Sequence, residues 1–253
     1  MIKDERLAKM VEYIEKNTYV NIHQLVAEFS VSKATIRRDL ETLAANGEIQ
    51  LTHGGAKHIR ETERELPYDE KRKTNSDEKS RIGKAACDLI QEGDTVIIDT
   101  GTTTREMVKY LLSRQHIHVI TNDVLIAAEL AANTGIDITL TGGSIRKGYF
   151  TLCGYYAENF IKQLHADILF LSLDSIDSVF GGAILNMDEV ATKQRMIKAA
   201  ARIVSLCDHT KYESKALLKV CELSEIDLYI TGHELSEETY LNFVEKGHSL
   251  QLA

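Results

Sequence analysis

Hydrophobic positions near the start of the chain recur every three to four residues, the period of a helix with one buried face. The first two apolar stripes are Leu7, Met10, Val11 and Ile14, followed by Ile22, Leu25, Val26 and Phe29. The first stripe follows Asp4 and ends at Asn17-Thr18, and the second follows Asn21. Two short amphipathic helices are therefore predicted.

A third helix is predicted after the tight connection Ser30-Val31. Ser32 is a suitable N-cap, and Asn46-Gly47 is a suitable stop. Its buried stripe consists of Ile36, Leu40 and Leu43. The segment EIQLTHGGAKHI then alternates polar and apolar residues around two glycines, which is typical of a small two-stranded wing. Residues 1–60 are thus predicted to form a winged helix-turn-helix.

Arg37 and Arg38 face away from the buried stripe of this third helix. In a winged helix-turn-helix, the helix after the turn enters the major groove and flanking basic residues contact phosphates. Most arginine pairs on helices merely face solvent, but this pair lies on the helix that the short turn positions. Double-stranded operator DNA is therefore an expected partner. The residues expected to contact it are Ser32, Lys33, Thr35, Arg37, Arg38, His53 and Lys57.

The pattern changes twice after the wing. Residues 61–76 are dense in charge, contain the single proline, Pro67, and show weak apolar periodicity, so they are predicted to be a linker or an exposed connecting helix. Residues 77–253 alternate amphipathic helices with short apolar strands, which indicates a mainly parallel sheet covered by helices. The predicted strands include TVIID, IHVIT, DITLT, ADILFLSL, RIVSLCD and IDLYIT.

Polar residues gather where these strands end, and open parallel sheets bind ligands beyond that edge. The turn after TVIID has Gly101 and three threonines, which offer backbone N–H groups and hydroxyls for a phosphate. Basic residues could supply countercharge, and carboxylates suit sugar hydroxyls. Similar polar stretches follow four other predicted strands, at residues 121–122, 141–143, 172–174 and 208–211. Each stretch alone has an ordinary structural use, but five of them at one edge of the sheet favour a pocket. The candidate ligand-binding residues are Asp99, Gly101, Thr102, Thr103, Thr104, Asn122, Gly142, Gly143, Arg146, Asp174, Lys193 and Lys211.

Composition agrees with a two-part protein. The net charge is -8, yet residues 1–60 contain 9 Lys and Arg against 8 Asp and Glu, which leaves the rest at -9. The four cysteines form no C-x-x-C pair, so buried reduced thiols are expected. No apolar run is long enough to span a bilayer, and MIKDERLAK lacks the apolar part of a signal peptide, which favours the cytoplasm.

Several chemistries find no support in the sequence. There is no G-x-S-x-G elbow, no phosphate-binding P-loop motif and no H-E-x-x-H helix. His116 and His118 share a strand face without an evident third ligand, so neither a metal nor another cofactor is expected.

These motifs together resemble the DeoR family of bacterial sugar-operon regulators over nearly the whole chain. The resemblance is carried by SVSKATIRRDLETLAANGEI with HGGA, and by IIDTGTTT, VITN, LTGG and DEVATKQRMIKAA with DHTKY. It implies a winged-helix repressor whose second domain is similar in fold to sugar-phosphate isomerases and coenzyme A transferases, and which senses a phosphorylated sugar or related metabolite. It also implies that the effector phosphate is cradled by Asp99, Gly101, Thr102, Thr103 and Thr104, with Asn122, Gly142, Gly143 and Lys193 completing the pocket.

The chain departs from the family pattern at one place. Where the family has a stretch resembling F-L-G-x-D-G-I-D, this chain has FLSLDSID, with Ser172 and Ser175 in place of glycines and a large Leu173. Side chains added where the backbone approaches a ligand narrow a pocket or change which polyol fits.

Three functional classes are compatible with these patterns. The leading one is a sugar-responsive repressor that acts as a homodimer or homotetramer, because one recognition helix covers too few base pairs. The second is a sugar-phosphate isomerase-like enzyme with an accessory DNA-binding domain, using Asp99, Asp174 or Glu189 for proton transfer. The third is an architectural protein without a ligand. An isomerase has no need of the winged helix, and an architectural protein has no need of the polar sheet edge.

Overall fold

The computed structural model describes residues 3–17, 19–45, 47–52, 54–58, 65–132 and 135–253. The chain divides into two compact units, Met1–Pro67 and Tyr68–Ala253. The predicted linker, residues 61–76, does not coincide with this division. Residues 61–64 lie outside the described residues, and residues 68–76 belong to the second unit.

The first unit contains the three helices that the apolar stripes predict. They are α1 (Lys3–Asn17), α2 (Ile22–Phe29) and α3 (Lys33–Ala45). Ser30 adopts a left-handed conformation with φ 52° and ends α2, which produces the tight turn before α3. Met10, Leu25 and Ile36 are fully buried in the common core of the three helices.

The wing of the first unit has three strands instead of the predicted two. They are β1 (Tyr19–Asn21), β2 (Ile49–Thr52) and β3 (Gly55–His58), with β3 in the middle. Asn21 pairs with Gly55 across β1 and β3. A β-carbon on Gly55 would lie 2.0 Å from the carbonyl oxygen of Val20, so only glycine lets the extra strand approach so closely.

The second unit is built on a seven-stranded sheet in which every neighbouring pair of strands is parallel. Its strands, in sheet order, are β15 (Leu250–Leu252), β14 (Leu228–Thr231), β12 (Ala200–Leu206), β9 (Ala166–Leu171), β4 (Thr95–Ile98), β5 (Ile117–Thr121) and β6 (Ile136–Leu140). Two small antiparallel sheets accompany it, formed by β7 (Ser144–Arg146) with β8 (Thr151–Cys153) and by β10 (Ser175–Asp177), β11 (Gly181–Ile184) and β13 (Leu218–Cys221). The predicted parallel sheet is confirmed.

Helices cover both faces of this sheet. The second unit contains α4 (Tyr68–Lys73), α5 (Ser76–Cys87), α6 (Val108–Leu111), α7 (Val124–Leu130), α8 (Tyr155–Ile161), α9 (Met187–Ala199) and α10 (Glu237–Glu245), of which α5 to α10 pack on the sheet. Alternate residues of β4 face opposite ways: Val96 packs in one apolar cluster with α5, α6 and α7, and Ile97 in another with α8, α9 and α10. The result is a three-layer α/β/α unit with a winged helix-turn-helix unit before it in the chain.

Two further expectations concern burial. All four cysteines are buried free thiols, as predicted. Within the part of the chain that the structure describes, no helix combines the length and apolar character needed to cross a membrane.

Candidate functional site

The outward face of α3 carries the basic residues predicted to contact DNA. Lys33, Arg37 and Arg38 are exposed, whereas Ile36 and Leu40 on the opposite side are buried. This arrangement follows from helical spacing, because Arg37 and Arg38 directly follow the buried Ile36, and Lys33 lies one helical turn before Arg37. The exposed face therefore presents three cations together.

Ser32 and Thr35 have a structural task at the start of α3. The hydroxyl of Ser32 accepts a hydrogen bond from the Thr35 amide at 3.1 Å and lies 2.9 Å from the Thr35 hydroxyl. Ser32 is thus the N-cap that the sequence predicts. Lys57 lies on β3 opposite Gln50, and His53 lies outside the described residues.

A salt bridge holds α3 against α1. Arg6 donates to both carboxylate oxygens of Asp39, at 2.7 and 3.2 Å, and Asp39 is buried. Bidentate geometry of this kind fixes orientation as well as distance. It sets the rotation of α3, and with it the direction of the arginine pair.

In the second unit, the polar residues that follow neighbouring strands lie side by side. Across the carboxyl edge, in sheet order, they are Asp208 after β12, Ser172 after β9, Asp99 after β4, Asn122 after β5 and Thr141 after β6. Direct contacts join the central members of this row: the Ser172 amide donates to Asp99 at 3.0 Å, and the Thr100 amide, next to Asp99, donates to the Asn122 side chain at 2.9 Å. These residues form a polar edge of the sheet.

Asp99 and Lys193 form a fully buried ion pair at the centre of this edge. Lys193 Nζ lies 2.5 Å from Asp99 Oδ2 and also donates to the Ser172 carbonyl at 3.0 Å. The second carboxylate oxygen, Oδ1, is buried without a hydrogen-bond partner among the described residues. Burial raises the pKa of Asp99 to about 6, although Lys193 and the Ser172 amide oppose this. An unsatisfied buried acceptor is suited to a ligand hydroxyl.

The charged chain continues from Lys193 to a second cation. Glu189, one helical turn before Lys193, lies 3.8 Å from its Nζ and accepts from Arg146 at 2.6 Å. The Arg146 guanidinium lies over the Tyr149 ring, 3.8 Å from its centre. Arg146 is therefore linked to the polar edge of the sheet, as the sequence predicts. In this structure its guanidinium is paired with Glu189.

The loop after β4 is held by buried side chains. Asn122 accepts from the Thr100 amide, and the Thr100 hydroxyl donates to Asp123 at 2.9 Å and contacts Thr151 at 2.8 Å. Asn122 is thus a positioning residue for the loop. Asp123 and Thr151 were not foreseen from the sequence, because they act through contacts between distant segments.

Within this loop the predicted phosphate-cradling residues differ in accessibility. Gly101 and Thr102 are half-buried, whereas Thr103 and Thr104 are buried. The Thr104 hydroxyl donates to the Gly101 carbonyl at 3.0 Å, so it closes the loop. The open part of the loop is Gly101 and Thr102.

Asp174 is bound by a residue from the predicted linker. Lys71 Nζ on α4 lies 2.8 Å from Asp174 Oδ1, and the Leu185 amide donates to Oδ2 at 3.0 Å. Burial alone would raise the pKa of Asp174, but Lys71 and this amide hold it at about 2. Lys211 also lowers the pKa of Asp174. The charge-dense sequence around Lys71 offered no signal for this role.

The remaining candidates lie at the open end of β6. Gly142 and Gly143 are exposed and follow Thr141 directly.

Histidines and carboxylates are also candidate metal ligands. The sequence predicts no metal site at His116 and His118, and the His118 ring lies 2.8 Å from the Thr139 hydroxyl. Among the described residues, Glu78, Asp208 and His209 lie close enough together to hold an ion. Their carboxylate oxygens already accept hydrogen bonds from the His209 and Gly232 amides and from Asn75.

The three residues that depart from the family pattern have different surroundings. Ser172 lies against Gly101, whose added β-carbon would be 2.4 Å from the serine oxygen. Ser175 is buried and donates to the Ser214 carbonyl at 2.7 Å, and Leu173 packs in the core against Gly182. Only Ser172 therefore alters the polar edge. The Ser175 hydroxyl is instead used in a hydrogen bond within the fold.

Both units of the chain match models of known protein families. Residues 6–62 match the DeoR-like helix-turn-helix domain, and residues 74–233 match the DeoR C terminal sensor domain. The HTH-type transcriptional regulator GolR of Listeria innocua is 30% identical, with 100% of each chain covered. The glycerol-3-phosphate regulon repressor of Escherichia coli is 31% identical, with 91% of each chain covered. Among solved structures, ribose 5-phosphate isomerase A from Methanocaldococcus jannaschii is 16% identical, with a TM-score of 0.41 over 55% of each chain.

Both family domains are present in their expected order, and similar full-length proteins are transcriptional regulators. The chain belongs to the DeoR family of transcriptional regulators and is a DNA-binding regulator with a sensor domain, not an enzyme.

Proposed function

We propose that this regulator represses an operon for sugar or polyol catabolism and that a phosphorylated sugar or related metabolite relieves the repression. The observation that carries the effector part is the buried Asp99 carboxylate, which has an unsatisfied oxygen beside the half-buried Gly101 loop. The carboxylate suits a hydroxyl donor, and loop amides together with nearby cations suit a phosphate. A relative named as the repressor of the glycerol-3-phosphate regulon supports a phosphorylated polyol or sugar as the class of effector.

On this proposal the residues have separate tasks. Gly101, Thr102 and Arg146 contact the phosphate, Asp99 and Asp174 accept from hydroxyls, and Lys193 keeps Asp99 ionised. Gly142, Gly143 and Lys211 border the same edge, and Thr103, Thr104 and Asn122 shape the loop. Lys33, Arg37, Arg38 and Lys57 contact operator DNA in the cytoplasm, where the chromosome is.

A thermal-shift screen of the full-length protein tests the effector class. The probes are glycerol 3-phosphate, glucose 6-phosphate, fructose 6-phosphate and ribose 5-phosphate, each compared with its unphosphorylated form. A ligand at 100 times its dissociation constant adds about 2.7 kcal/mol to the free energy of unfolding, which corresponds to roughly 5 to 10 °C in Tm. Equal shifts by the unphosphorylated compounds, or none by any phosphorylated probe, would contradict the proposal.

Two adjacent cations provide matched variants for the screen. Arg146 is mostly buried in its pair with Glu189, whereas Lys147 is exposed. We expect Arg146→Met to lose most of the ligand-induced shift and Lys147→Met to keep it.

We further propose that the protein is a homodimer or homotetramer. A single α3 covers too few base pairs for operator specificity, and two copies on a symmetric site supply the rest. Light scattering at micromolar concentration should report a dimer or tetramer. A monomer both alone and on DNA would exclude this assembly.

A further inference from the structure

The helix α4 is the first element of the sensor unit, and it follows the DNA-binding unit in the chain at Pro67–Tyr68. Sequence patterns predict a linker or an exposed connecting helix here, yet α4 is attached to the polar edge of the sheet at several points. Those points belong to elements that also carry the proposed effector residues. The segment that follows the DNA-binding unit in the chain is therefore anchored at the proposed effector site.

Lys71 makes the strongest of these attachments. Its Nζ atom lies 2.8 Å from Asp174 Oδ1, and both side chains are more than four-fifths buried. The same ammonium lies 5.7 Å from the centre of the Tyr149 ring, which Arg146 also approaches. Lys71 and Arg146 thus converge on one aromatic ring beside two carboxylates, Asp174 and Glu189.

Other contacts hold the two ends of α4. Tyr68 is buried, accepts a hydrogen bond from Arg105 at 2.9 Å and packs edge-on against Phe150. Arg105 directly follows the Gly101 to Thr104 loop, and Phe150 precedes β8. At the other end, Lys79 donates to the Lys71 carbonyl at 2.5 Å. A ligand that moves these residues at the polar edge would therefore also move α4.

On the basis of the proposed function, we propose that Lys71 is itself an effector-site residue, and that a phosphorylated effector weakens operator binding by drawing Lys71 away from Asp174. A phosphate carries more charge than a carboxylate and accepts several hydrogen bonds, so it competes for the ammonium. The hydroxyls of the same ligand can replace Lys71 at Asp174. The ion pair then belongs to the ligand-free, operator-binding state, and the ligand shifts the population away from it.

A double-mutant cycle without any effector tests this coupling. Operator affinity is measured on a duplex that the wild-type protein selects from a random pool. Lys71→Met and Asp174→Asn should each weaken binding at least fivefold, and the double variant should bind no more weakly than either single variant. Lys73→Met is the control on the same helix, because Lys73 is exposed, and it should bind within twofold of wild type.

Hydrogen exchange of the backbone amides of residues 68–75 gives a second measurement that does not depend on DNA. Exchange should accelerate at least fivefold in Lys71→Met and Asp174→Asn, and not in Lys73→Met. The proposal would be overturned if the single variants matched the wild type in both operator affinity and amide exchange. It would also be overturned if the losses of operator affinity in the two single variants multiplied in the double variant. Because no effector is present, failure here is distinct from failure of the phosphate screen.

Discussion

Gly101 and Ser172 meet where two neighbouring strands end: a β-carbon on Gly101 would lie 2.4 Å from Ser172 Oγ and 2.7 Å from Ser172 Cβ. Real β-carbons do not approach other atoms so closely, so the loop must move if residue 101 gains a side chain. Neither residue 172 nor residue 175 has a positive φ, so serine fits both backbones without strain.

We expect Gly101→Ala to lower the free energy of unfolding by about 1 to 3 kcal/mol through overpacking. Ser172→Gly removes the atoms in conflict, so the double variant should recover part of this loss. Urea unfolding of the two single variants and the double variant measures the coupling. Additive losses would show that Ser172 does not constrain the loop.

Arg37→Ala and Arg38→Ala should weaken operator binding. A residue that contacts a base is expected to contribute about 1 to 3 kcal/mol, and one that contacts a phosphate should reduce the slope of log affinity against log salt by roughly one. Lys16→Ala, an exposed cation on α1, is the control. Wild-type affinity and salt slope in both arginine variants would exclude a role for this helix face.

Arg6→Met should destabilise the DNA-binding unit by about 2 to 4 kcal/mol, because it leaves Asp39 buried and unpaired. Lys9→Met on the same helix breaks an exposed pair with Glu5 and should change stability by less than about 0.5 kcal/mol. Hydrogen exchange of the α1 and α3 amides measures both effects. Equal protection in the two variants would count against a structural role for the Arg6–Asp39 pair.

The ionisation of Asp99 should make the sensor unit less stable as the pH rises. Its pKa of about 6 in the folded protein exceeds the ordinary value of 3.8, so the folded state retains a proton that the unfolded state has released. Its contribution to stability is therefore present at low pH and lost as the pH rises through about 6.

Asp99→Asn removes this titration while leaving Lys193 in place. Urea unfolding between about pH 4 and pH 7 should show the wild type losing stability relative to Asp99→Asn as the pH rises. Parallel stability curves would mean that Asp99 titrates normally.

Sequence periodicity predicted most elements of the fold because their apolar faces are long enough to show a period. It missed β1, whose three residues lie between two helices and owe their pairing to Gly55. It allowed a connecting helix at α4 but not its attachment to the sheet, because that depends on contacts with residues about 100 positions later.

The polar edge was predictable because strand ends of a parallel sheet fall at the same side. Its internal connections were not, since the hydrogen bond from Thr100 to Asn122 and the salt bridge from Arg146 to Glu189 depend on how separate segments pack. For the same reason the sequence could not separate Ser172, at the edge, from Ser175, whose hydroxyl is buried in the fold.

The position of α4 determines where this regulator can be recombined with others. A chimera that receives a foreign DNA-binding unit at residue 77 would discard Tyr68 and Lys71, and with them the attachments to Arg105 and Asp174. A junction between Pro67 and Tyr68 keeps the sensor unit whole. Biosensors assembled at the second junction should still switch, whereas those assembled at the first should bind DNA without responding to the effector.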